Sequence, residues 1–169
     1  IVWGPGLIAP EAVGTRNASS VFSAIDLVPT LLDITGTPHA KGATYDGESV
    51  PDILLGKSEA SRKVPIFFRR PPDRDAYYGD NDLPDLAVRD GKWKFLCEYD
   101  GAEPELYDMT NDRGEKYNIA AKHPKLVRKF SAACIAWHKS MPPDNGPQLV
   151  GSARLNAPRK PKRIEQPND

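Results

Sequence analysis

Two cysteines, three histidines and a scatter of carboxylates are the residues of this chain that could do chemistry. Cys97 and Cys134 lie on different predicted elements, so they form neither a CxxC redox pair nor half of a zinc site with ordinary spacing. Two readings remain: a disulfide, or two half-buried thiols packed as small hydrophobes, and the second is preferred. Asp108 and Asp112 look like a piece of a calcium loop but lack the regularly spaced oxygen ligands such a loop needs, so they read as turn formers. His123 and His138 flank the last predicted helix, as caps or exposed residues. Between Ala87 and Asn118 no nucleophile stands at a recognisable spacing from a base, and no dense cluster of metal ligands occurs.

The whole-chain properties exclude more than they suggest. A length of 169 residues suits one domain or one domain plus an appended piece. The 23 basic and 23 acidic residues cancel, so charge favours neither nucleic acid nor an anionic membrane as partner. Hydrophobic content of 39% with 17 prolines is lean and loop-rich, and no apolar run approaches the roughly 18 to 20 residues that span a bilayer. The chain opens at Ile1 without a signal peptide, and the apolar run Ile1-Val2-Trp3 reads as a strand already under way, which suggests a fragment or a processed chain.

The elements can be placed in order. Gly4-Pro5-Gly6 is a turn. Asp26 to Thr35 reads as a helix capped by Asp26 and stopped by Gly36, with Leu27, Leu31 and Ile34 on one face. The alternative cap is Ser23 in a capping box with Asp26, which would push Pro29 past the first turn. Val50 to Leu55 is a short turn ended by Gly56. Pro65 opens a strand through Arg69 whose continuous apolar character suggests burial on both faces. A long polar loop covers residues 70–84. The stretch AVRDGKWKFLCEYDGAEPELYDMTNDRGEKYN, from Ala87 to Asn118, then reads as an antiparallel meander turning at Asp90-Gly91, with Trp93, Phe95 and Cys97 on its packed face. Pro124 starts an amphipathic helix whose stripe is Val127, Phe130, Cys134 and Trp137. A Pro-rich tail with Arg159, Lys160, Lys162 and Arg163 follows.

The order WGPG, SAIDLVPTLLDITG, YDGESVPDILLG, AVRDGKWKF, ELYDMTNDRGEKYN and a closing helix near Trp137 resembles the C-terminal portion of sulfatases, in the alkaline-phosphatase-like superfamily. It looks most like the arylsulfatase and N-acetylgalactosamine-6-sulfatase group. The resemblance implies an α+β fold. A small antiparallel β-sheet of about four strands would be covered by a long C-terminal helix, preceded by the last strand and helix of a truncated α/β sulfatase domain. It also implies residues 1–57 as the end of that large domain, 58–141 as the smaller subdomain and 142–169 as a tail.

Family sulfatases cleave sulfate esters with a formylglycine made from a Cys or Ser in a C/S-x-P-x-R motif, beside a calcium ion. Neither Cys97, followed by Glu98-Tyr99-Asp100-Gly101, nor Cys134, followed by Ile135-Ala136-Trp137-His138, matches the motif. Calcium and formylglycine are therefore expected of a full-length enzyme and not of this chain, which should be inactive alone. The expected partners are a missing N-terminal sulfatase domain and, for the whole enzyme, a sulfated small molecule or glycan. Such enzymes are usually lysosomal, periplasmic or secreted. Arg69, Arg70 and Arg74, with His39, are the candidates to reach the rim of the sulfate pocket, because a guanidinium pairs well with sulfate. The alternative function is a non-catalytic carbohydrate- or protein-binding module.

Overall fold

The computed structural model describes Val2, residues 4–70 and residues 83–142. The chain divides between Pro65 and Ile66 into two compact units. Positions 1 and 3 of the expected opening strand, and the basic tail from residue 143, lie outside the described residues.

In the first unit, a 3-10 turn at Ala24–Asp26 leads into helix α1, Leu27–Thr35. The cap is the Ser23 alternative. Ser23 and Asp26 form a capping box in which the Ser23 backbone N–H donates to Asp26 Oδ2 at 2.9 Å. Asp26 does not cap α1 as expected, because its carboxylate is already in use. Its other oxygen accepts the Glu48 N–H at 2.8 Å. Gly36 ends α1 in the left-handed conformation at φ 64°, as its lack of a Cβ allows.

The buried face of this helix is also not the expected one. Pro29 and Thr30 are buried, while Leu27 and Leu31 are 38% and 49% exposed. The reason is the segment around residues 47–50, which crosses the polar side. The Thr30 hydroxyl accepts the Val50 N–H at 3.0 Å. A side chain at Gly47 would collide with the Ile25 carbonyl, so only glycine allows this approach. A second short helix, α2, follows at Pro51–Leu54. Arg62 returns to the same place, its Nη2 lying 3.0 Å from Asp26 Oδ1 with both side chains sealed from solvent. The contact is an ion pair rather than an aligned hydrogen bond, since Arg62 Nε, Nη1 and Nη2 find no acceptor along an N–H direction.

The second unit is a four-stranded antiparallel sheet in the order β1 (Ile66–Arg69), β2 (Leu86–Asp90), β3 (Trp93–Cys97) and β4 (Glu105–Asp108), followed by helix α3, Pro124–Ser140. Gly91, at φ 53°, makes the tight β2–β3 turn. Alternation sends Leu86, Val88, Phe95, Cys97 and Leu106 to one side, where Phe130 and Cys134 of α3 meet them in a single core. The two thiols are thus fully buried and free, not half-buried.

Ring contacts fix how α3 lies. Trp93 meets His123 at 5.4 Å, Phe95 meets Phe130 at 5.9 Å, and Tyr99 meets His138 at 4.7 Å, so the helix follows β3 in the same direction. Phe67 stacks on Trp137 at 5.4 Å. Strand β1 is buried on both faces only at its start, not throughout as expected: Ile66 is sealed, but Phe68, on the same face, is 52% exposed.

Phe95 has no exposed surface and touches the helix at its centre. Phe95→Ala should lower unfolding stability by about 3–5 kcal/mol, as large-to-small changes in sealed cores do. In the first unit, Arg62→Ala would leave the Asp26 carboxylate buried without its counter-ion, at a cost of about 3–5 kcal/mol. Urea unfolding of each variant against the parent chain reads both effects, and a change below about 1 kcal/mol would contradict either assignment.

Candidate functional site

Polar groups gather where β1 ends, at Arg69, and β2 begins, at Leu86. Backbone bonds continue the ladder past the strands, with the Arg70 N–H donating to the Asp85 carbonyl at 2.8 Å and the Asp85 N–H to the Cys97 carbonyl at 3.1 Å. This brings the Arg70 Nη2 within 3.2 Å of Asp85 Oδ1. The Tyr99 hydroxyl donates to the Arg70 carbonyl at 3.0 Å, and its N–H lies 3.4 Å from Asp85 Oδ2. The Tyr99 ring rests on His138. Arg70 Nε and His138 Nδ1 are buried with no hydrogen-bond partner.

The cluster offers one guanidinium and one imidazole, with Asp85 compensating the arginine. Its members, Arg70, Asp85, Tyr99 and His138, come from four separate places in the sequence, and only Arg70 was legible as a candidate beforehand. Asp85 and Tyr99 carried no signal, since an Asp before a strand and a Tyr after one are ordinary loop residues. His138 neither caps the helix nor lies exposed as expected, because its ring packs on Tyr99.

The remaining candidates are dispersed. Arg69 closes β1 opposite Leu86 and shares its side of the strand with Phe67. Arg74 lies outside the described residues. His39 belongs to the first unit, where its Nε2 sits 3.3 Å from Asp33 Oδ1 and its ring meets Tyr45 edge-on at 5.2 Å. The Ser49 hydroxyl, and then His39, hold the Asp33 carboxyl below its ordinary value.

Asp108 and Asp112 serve their own turn. Asp108 accepts the Lys92 ammonium at 2.9 Å and the Thr110 N–H at 3.0 Å, while Asp112 accepts the N–H groups of Lys116 at 3.0 Å and Tyr117 at 2.9 Å. Among the described residues no three His, Cys, Asp or Glu side chains come together as a metal cradle. Both cysteines are sealed in the core between β3 and α3. The residues described here do not fit a calcium ion or a formylglycine.

With this geometry in hand, similarity supplies the class. No family model matches the chain. Arylsulfatase K of Mus musculus is 33% identical over 130 residues, covering 75% of this chain and 22% of that protein. An N-acetylgalactosamine-6-O-sulfatase of Bacteroides thetaiotaomicron is 28% identical over 137 residues, covering 72% of the chain and 24% of that protein. Among solved structures, one from work on glycosaminoglycan metabolism by Bacteroides thetaiotaomicron superposes with a TM-score of 0.54 at 25% identity, over 71% of this chain and 25% of that one. The chain is therefore a sulfatase relative and corresponds to a C-terminal portion of such an enzyme. It spans about a quarter of the length of the relatives it matches.

The turn aspartates make the fold pH-dependent in a defined direction. Lys92, more than any other group, holds Asp108 below the ordinary aspartate value, and the Lys116 and Tyr117 amides do the same for Asp112. A carboxyl with a lower pKa in the folded state contributes fully above its unfolded value, about 3.9. That contribution is lost as pH falls through the folded values. Amide protection at Lys116 and Tyr117 should therefore drop below about pH 4 before that of the sheet. Protection that stays level down to pH 2 would refute the role given to these carboxylates.

Proposed function

We propose that this chain is the C-terminal part of a sulfate-ester hydrolase acting on aryl or glycan sulfate, with the hydrolytic groups carried by residues outside these 169. The observation that carries this reading is similarity to sulfatases across about three quarters of the chain. In the whole enzyme a formylglycine would supply the nucleophile and a calcium ion would stabilise the sulfate charge. On this reading the first unit is the end of the large domain. The exposed Leu27–Leu31 side of α1, with Ile25 and Val28, is the surface an N-terminal sulfatase domain would cover. The second unit is the smaller domain, a rigid support from which side chains reach a substrate.

Arg69, Arg70 and Arg74 are the residues proposed to meet the sulfated substrate, with His39 as a contributor from the first unit. A guanidinium offers paired N–H donors that match two sulfate oxygens. Arg69 is favoured over Arg70 for direct contact, because the Arg70 guanidinium already has Asp85 beside it.

The isolated chain should show no turnover of an aryl sulfate, with or without calcium. Turnover abolished by replacing a residue within these 169 would overturn the proposal. In a longer polypeptide that joins this chain to a C/S-x-P-x-R segment, Arg69→Ala should raise KM for a sulfated substrate roughly tenfold with kcat little changed, the effect of losing one charge-assisted contact. An unchanged KM removes Arg69 from the rim.

A further inference from the structure

We propose that Cys97 and Cys134 are a paired site for a disulfide oxidant, closing into a bond that staples α3 to β3. Cys97 follows Phe95 on the inward face of the strand, and Cys134 follows Phe130 by just over one turn on the inward stripe of the helix. Two residues advance about 6.6 Å along a strand and four advance about 6 Å along a helix, so the pairing step is nearly the same on both elements. The Phe95–Phe130 contact lies one step before the cysteines, and the Tyr99–His138 contact one step after. The cysteines therefore face each other between two observed contacts. Both are free and completely sealed. Each thiol acts chiefly on the other, which holds Cys97 below the usual thiol value and pushes Cys134 above it.

The chemistry needs an oxidant of the disulfide class, such as oxidised glutathione or a disulfide oxidoreductase. The step requires local opening of α3, since Cys97 is sealed in the closed packing. Its thiolate attacks one sulfur of the oxidant and releases the other as a thiol. The Cys134 thiolate then displaces the second thiol from that mixed disulfide. Two protein thiols lose two protons and two electrons, and one oxidant disulfide becomes two thiols. The product closes the chain from β3 through β4 to α3 and holds the helix on the sheet.

This inference is independent of the proposed enzyme. The full 169-residue chain is incubated without denaturant in oxidised glutathione at neutral pH, and intact mass and thermal midpoint are measured. The expected product is lighter by two hydrogens, carries no glutathione, and yields a Cys97–Cys134 linked peptide on non-reducing digestion. Its midpoint should rise by on the order of 10 °C and fall back with dithiothreitol. Because the chain has two cysteines, any intramolecular disulfide must be this one. Cys134→Ala should show no such rise. The proposal is overturned by two thiols that remain alkylatable, by a lasting glutathione adduct, by a disulfide-linked dimer, or by a bond whose formation leaves the midpoint unchanged or lower.

Discussion

Phe95 and Phe130 meet at 5.9 Å in the middle of the second unit, and the rest of that unit depends on this contact. A four-stranded antiparallel sheet buries little by itself, and one helix laid along β3 covers most of what it exposes on that face. The ring pairs on either side hold the helix to one direction and one register. A shift of α3 by one residue would turn Phe130 and Cys134 away from the sheet together. The interaction is apolar and non-directional, but its repetition along the strand makes it specific.

The first unit rests on a different principle. Its most buried side chains, Asp26 and Thr30, are polar, and they organise their surroundings by accepting backbone N–H groups from Ser23, Glu48 and Val50. A carboxylate sealed from water must find donors and a counter-ion, and Arg62 supplies the charge. The consequence for function is that the apolar side of α1 remains outward. That asymmetry is what a segment belonging to a larger enzyme would show, and it agrees with the share of the sulfatases that this chain spans.

The arginine candidates that the structure describes both belong to the second unit. Arg69 closes β1 and Arg70 follows it, with the Arg70 guanidinium held beside Asp85. The adjacent cluster of Asp85, Tyr99 and His138 steadies that end of the strand.

The sequence by itself determined the elements and the family. Gly91 after Asp90, Gly36 after Thr35 and Pro124 at the first position of the last helix each carry a local backbone requirement, and local requirements are readable one residue at a time. The period-two alternation of Trp93, Phe95 and Cys97 and the helical stripe from Val127 to Trp137 showed which faces would pack, because an isolated sheet and its helix have only each other to cover. Tertiary structure decided the rest. Which side of α1 is buried turned on Glu48, Val50 and Arg62, which approach Asp26 and Thr30 from a distance in sequence that no periodicity encodes. In the same way, nothing in the spacing of Cys97 and Cys134 told that they would face one another. That followed only once the rings before and after them had fixed the helix against the strand.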